Sequence, residues 1–70
     1  MDIRKQVGIN VRRLREGQNL SQEELAFEAE LHRTYISGVE RGVRNPTVTV
    51  VAKIAKALEV APDQLLRLGR

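Results

Sequence analysis

The chain has 70 residues, of which 12 are Lys or Arg and 9 are Asp or Glu, and it contains no cysteine. That length suits one small hydrophobic core rather than two domains, and the missing cysteines exclude disulfides and thiolate metal sites, so stability must come from helix packing, alone or with a partner subunit. No run approaches the roughly 20 apolar residues of a membrane span, and the start Met1-Asp2-Ile3-Arg4-Lys5 lacks the apolar segment of a signal peptide, which predicts a cytoplasmic protein with no membrane partner.

Between Asp2 and Glu16, Ile3, Val7, Val11 and Leu14 recur at steps of four, four and three, while Arg4, Lys5, Arg12, Arg13 and Arg15 take the remaining surface. This spacing predicts a first helix with a basic outer face. The helix is expected to stop around Gly17 to Asn19, because Asn accepts the left-handed conformation of a helix C-terminus nearly as well as Gly. Ser21, followed three residues later by Glu24 and then by apolar Leu25, is a capping box, so a second helix starts near Gln22. Its inward stripe is Leu25, Ala26 and Ala29, with Glu23, Glu24 and Glu28 toward water. A third run places Ile36 and Val39 inward, sets Arg33, Thr34 and Ser37 on the other side, and ends at Gly42. Only Glu30, Leu31 and His32 separate the two runs, too brief a joint for antiparallel packing along their length. A crossed pair is predicted, a helix-turn-helix at about residues 21–42.

After the loop Val43-Arg44-Asn45-Pro46, Thr47 is placed to cap a fourth helix whose inward stripe is Val48, Val51, Ile54, Ala55 and Leu58. Pro62 suits the first position of a last short helix anchored by Leu65 and Leu66, and residues Arg67 to Arg70 are expected to fray. With no strand alternation and no internal repeat, the prediction is an all-α fold, a compact five-helix domain spanning residues 1–70.

Charge is unevenly spread. Residues 1–20 carry five basic and two acidic groups, residues 21–31 carry four acids and no base, and the segments 32–46 and 47–70 each sum to +2. Acid concentrated on the second helix is compatible with nucleic acid only where those carboxylates face away from it.

The run Leu20-Ser21-Gln22-Glu23-Glu24-Leu25-Ala26, then Tyr35-Ile36-Ser37, Val39-Glu40-Arg41-Gly42 and Asn45-Pro46, resembles the Cro/repressor (XRE-type) helix-turn-helix family from about Val7 to Leu66. The resemblance implies a lambda-repressor-like fold and a sequence-specific transcriptional regulator that binds double-stranded DNA. A recognition helix at about residues 33–41 would enter the major groove, with the preceding helix across the backbone. A homodimer on a two-fold symmetric operator is expected, because one recognition helix reads only a few base pairs. The implied base-contacting residues are Arg33, Thr34, Ser37 and Gly38, with His32 at the helix entrance. Arg33 leads, since its guanidinium can donate two hydrogen bonds to the O6 and N7 of guanine.

Implied phosphate contacts are Ser21 and Gln22 at the start of the second helix, the Tyr35 hydroxyl, Arg41, Arg44 and Asn45 after the recognition helix, and Arg12. In relatives with Arg and Glu at positions 15 and 40 the pair is a partly buried salt bridge, so Arg15 and Glu40 are assigned to structure. Leu66, Leu68 and Val60 are the candidate dimer contacts. Four positions depart from the family pattern: Gly38 removes a side chain from the readout face, Glu30 stands where a turn usually takes Gly, and His32 and Ala61 replace capping residues.

Competing functions lack materials. Glu23, Glu24, Glu28 and Glu30 belong to a solvated helix face or its end, and there is no glycine-rich phosphate loop, so nothing suggests an enzyme. A single histidine without cysteine argues against a metal site, and neither a cofactor nor a small-molecule ligand is expected. The alternative is a protein-interaction module, such as an antitoxin or anti-repressor built on the same fold.

Overall fold

The computed structural model describes residues 2–69 and contains four α-helices, α1 (Ile3–Gly17), α2 (Gln22–Ala29), α3 (Arg33–Glu40) and α4 (Val48–Leu58), followed by a 3-10 turn at Pro62–Leu65. Among the described residues there is no strand, and none of the helices is long and apolar enough to cross a membrane. The fifth element predicted from the sequence is thus a single 3-10 turn. Pro62 opens it, Ala61 supplies no side-chain cap, and Gln64 and Leu66 donate three residues back, to the carbonyls of Ala61 and Asp63. Four residues hold only this tighter form.

Helix starts follow side-chain chemistry. Asp2 accepts from the Arg4 amide at 3.0 Å, and hydrogen bonding from the Arg4 side chain holds its carboxyl below the usual aspartate range. Both halves of the Ser21–Glu24 capping box form, at 3.0 and 2.7 Å, and Thr47 accepts from the Val50 amide at 3.1 Å. Only α3 among the α-helices lacks such a cap, His32 making none. Asn19, Glu30 and Glu59 all adopt the left-handed conformation (φ 60°, 59° and 59°) just past a helix end. The amides that follow reach back five residues, Leu20 to Arg15, Leu31 to Ala26 and Val60 to Ala55, which satisfies carbonyls the helices leave open.

The core gathers Val7 and Val11 of α1, Leu25, Ala26 and Ala29 of α2, Ile36 and Val39 of α3, Val51, Ile54, Ala55 and Leu58 of α4, and Leu65. Helix α3 packs on both α1 and α2, while α4 packs on α2 and the 3-10 turn. Two residues of the predicted inward stripes are not inside. Ile3 and Val48 are exposed, Val48 at 87%, because each is the first residue of its helix and lies beyond the neighbours that cover the middle turns. Val60 also departs from expectation, packing against the core rather than standing free for a dimer contact, whereas Leu66 and Leu68 are exposed at 46% and 62%.

Two α1 residues that periodicity did not single out hold the fold together. The buried Asn10 amide donates to the carbonyls of Leu65 and Arg67, both at 2.9 Å, so the tail is tied down through Arg67 instead of fraying there. Arg70 lies outside the described residues. Gly8 faces the C-terminal end of α3, where an added Cβ would collide with the Val39 carbonyl oxygen and sit 2.6 Å from that of Glu40. Backbone atoms cannot rotate aside, so Gly8→Ala must push α1 and α3 apart. Overpacking of this kind costs about 1–3 kcal/mol. The variant is expected to melt below the wild type by roughly 4–8 °C for each kcal/mol lost; an unchanged melting temperature would show that the two helices do not rely on this close approach.

Candidate nucleic-acid interface

Gly8, Val11 and Arg15 recur at i, i+3 and i+7 and so share one face of α1. Two of these residues meet α3 directly: the bare Cα of Gly8 lets the backbones approach, and Arg15 reaches Glu40. The Arg15 Nε lies 2.6 Å from Glu40 Oε2 and its Nη2 lies 3.0 Å from Oε1, a bidentate pair whose side chains are 10% and 3% exposed. The Arg15 Nη1 also donates to the Leu20 carbonyl at 2.7 Å, and the Gln22 amide donates to Glu40 Oε1 at 2.9 Å. One carboxylate therefore ties α1, α2 and α3 together. Hydrogen bonding to Glu40 raises the pKa of the Arg15 guanidinium above its already high ordinary value, keeping the guanidinium charged. Glu40 is the only carboxylate of α3, so this pairing leaves the exposed side of that helix without negative charge.

With Ile36 and Val39 turned inward, α3 exposes Arg33 and Thr34 on its first turn, while Ser37 and Tyr35 are half-buried and His32 stands exposed just before the helix. Arg41 Nε lies 3.4 Å from Ser37 Oγ, and the Arg44 guanidinium lies over the Tyr35 ring, 5.6 Å from its centroid. Two side-chain pairs thus lie along α3, Ser37 with Arg41 and Tyr35 with Arg44. Asn45 is exposed in the loop beyond.

Three expected contacts are altered. Gly38 is buried, with its surface taken by the stem of Arg44, so it offers nothing to a base edge. Gln22 is half-buried and one N–H of its amide is committed to Glu40, which leaves the second N–H and the backbone amide for an outside partner. Arg12 sits on α1 in an exposed ion pair with Glu16 at 3.1 Å, so its charge is shared within its own helix. Ser21 uses its hydroxyl oxygen to cap α2 and keeps its O–H free to donate.

Sequence reasoning passed over Gly8, Asn10 and Gln18, whose amide donates at 2.8 Å to the Leu58 carbonyl at the end of α4. The signal for Asn10 was present, since it lies three residues after buried Val7 and thus on an apolar stripe. Gln18 carried none, because its partner is distant in the chain. Among the described residues no cluster of His, Cys, Asp and Glu could hold a metal ion.

The helix-turn-helix family profile HTH_3 matches residues 11–65, from the second half of α1 through α2, α3, α4 and the 3-10 turn. The chain belongs to this helix-turn-helix family. The helix-turn-helix chain is 53% identical over 66 residues to control protein C.BamHI of Bacillus amyloliquefaciens, covering 93% of this chain and 82% of that protein. Its fold superposes with a TM-score of 0.87 and 44% identity on the restriction-modification controller protein C.AhdI from Aeromonas hydrophila, covering 89% of this chain and 94% of that one. A hypothetical transcription factor, NHTF, from Neisseria gives a TM-score of 0.91 at 44% identity, over 94% and 76% of the two chains. The Cro/repressor resemblance of the sequence is thereby confirmed at the level of family and fold.

Proposed function

We propose that this helix-turn-helix protein is a sequence-specific regulator of transcription that binds double-stranded DNA as a homodimer on a two-fold symmetric operator, in the manner of a controller protein. The observation that carries the reading is the exposed first turn of α3, with Arg33 and Thr34 free to reach base edges while the helix's only carboxylate is locked against Arg15. Arg41 and Arg44 flank that turn and suit the sugar-phosphate backbone. The relatives named as control and controller proteins support the regulatory role.

Exposed Leu66 and Leu68 are the dimer contacts in this reading, together with Val48 beside the apolar groove lined by Ile3, Val51, Pro62 and Leu66. Val60 is withdrawn from that set. The same reading places the protein in the cytoplasm and gives it no catalytic step and no cofactor.

Selection from a pool of random duplex DNA at two salt concentrations tests the proposal. The expected product is a two-fold symmetric motif with half-sites about one helical turn apart. Affinity should fall steeply with salt, by roughly 10³-fold between about 50 and 200 mM if the dimer neutralises about six phosphates. Enrichment of no motif at either salt would sink the DNA reading and turn the search to a protein partner, as an antitoxin or anti-repressor would have.

A further inference from the structure

Gly38 is the least expected residue on the recognition helix, and its surroundings explain it. A Cβ built there would lie 2.5 Å from Arg44 Cγ, 3.4 Å from Arg44 Nε and 3.5 Å from Cδ. The Arg44 stem therefore occupies the space that a side chain at position 38 would fill. The loop backbone is fastened to the same residue, since the Gly38 carbonyl accepts from the amides of Val43 and Arg44 at 3.0 and 3.2 Å. From this seat Arg44 runs back along α3 by one turn, and its guanidinium comes to rest over the ring of Tyr35. A cation held over an aromatic face loses rotamer freedom before any ligand arrives.

We propose that Gly38 is a positioning residue: by leaving its site empty it seats Arg44 against Tyr35 and presents that guanidinium, already ordered, on the DNA-facing flank of the recognition helix. The inference rests on the DNA reading above and deepens it. Gly38 contributes no base contact of its own; it replaces a side chain that would point outward from residue 38 with the longer, charged one of residue 44. Arg44, expected from the sequence as one of several loose phosphate contacts, becomes an extension of α3, and its ordering is completed within the free protein. Ser37 is engaged by Arg41, so Arg44 and Tyr35 form a separate pair.

The test is a double-mutant cycle with Gly38→Ala, Arg44→Ala and the two combined, on the duplex selected by the wild type. Arg44→Ala is expected to weaken binding of the dimer roughly 100-fold, about ten-fold for one charge-assisted hydrogen bond in each of the two subunits. It should also reduce the slope of log affinity against log salt by about two, one for each subunit. Gly38→Ala should reproduce both effects, because the clash falls at Cγ and Arg44 must leave its rotamer, and the double variant should bind no worse than either single one. Thermal melting checks that Gly38→Ala is folded, which its improved helix propensity favours.

A readout without DNA is available too. Tyr35 is the only tyrosine and the chain has no tryptophan, so its emission reports the stacked guanidinium and should change alike in the two single variants. Losses that add in the double variant, or a Gly38→Ala variant that keeps wild-type affinity, would overturn the inference while leaving DNA binding intact. Absence of salt-sensitive duplex binding by the wild type would remove the DNA reading and the inference with it.

Discussion

Glu40→Ala is expected to destabilise the fold by about 3 kcal/mol, within the roughly 3–5 kcal/mol that losing one partner of a buried ion pair costs. Four hydrogen bonds converge on this junction, two from Arg15 to Glu40, one from Gln22 to Glu40 and one from Arg15 to the Leu20 carbonyl. Without the carboxylate, Arg15 keeps its charge in a site that is almost closed to water, and Gln22 loses its acceptor. The figure lies at the lower end because Glu16 Oε2 stands 3.9 Å from Arg15 Nη2 and can take part of the charge. A domain of this size is stabilised by only about 5–10 kcal/mol, so the melting temperature should drop by at least roughly 12 °C.

The double variant Arg15→Met with Glu40→Leu removes both charges together and should melt above Glu40→Ala. Sequence preference should survive in the cold, where the variant is still folded, since neither residue faces the proposed groove. A melting temperature within a degree or two of the wild type would show that the pair is incidental to the fold.

Arg33→Ala is the counterpart on the binding side. Arg33 is exposed on the first turn of α3 and makes no hydrogen bond or ion pair among the described residues, so its removal should leave stability within about 0.5 kcal/mol of the wild type. Its proposed role is bidentate recognition of guanine, worth about 1–3 kcal/mol of discrimination at each site. A dimer uses the contact twice, which gives a loss of about 2–6 kcal/mol on the selected operator, or roughly 30-fold and upward in affinity. Residual non-specific binding at low salt should persist, because the phosphate contacts remain. Repeating the random-duplex selection with the variant is the direct measurement. Preference should vanish or relax at one symmetric pair of positions, and an unchanged motif would move base recognition away from Arg33.

These variants also show which parts of the architecture were legible in advance. The Ser21–Glu24 box, the Thr47 cap and the left-handed Asn19 are interactions between residues at most a few positions apart, and local chemistry specifies them. The inward residues of α2 and the middle turns of α1, α3 and α4 follow equally from a 3.6-residue period. What that period cannot give is where a stripe stops being covered. Ile3 and Val48 satisfy it and remain exposed, because coverage depends on how far the neighbouring helices extend.

The remaining features lie between elements. Gly8 becomes indispensable only when α3 comes to rest against it, Asn10 only when the tail returns across 55 and 57 positions to offer its carbonyls, and Gln22 turns inward only because Glu40 arrives beside it. Gly38 reads in isolation as a missing readout side chain, and in the folded chain it is the seat of Arg44. Helix identity, helix starts and the polar turn of α3 are thus written in short-range spacing, where few conformations compete. Close approaches and buried polar partners are set by the packing of whole helices, since a residue's environment there is made by side chains that no local rule brings together.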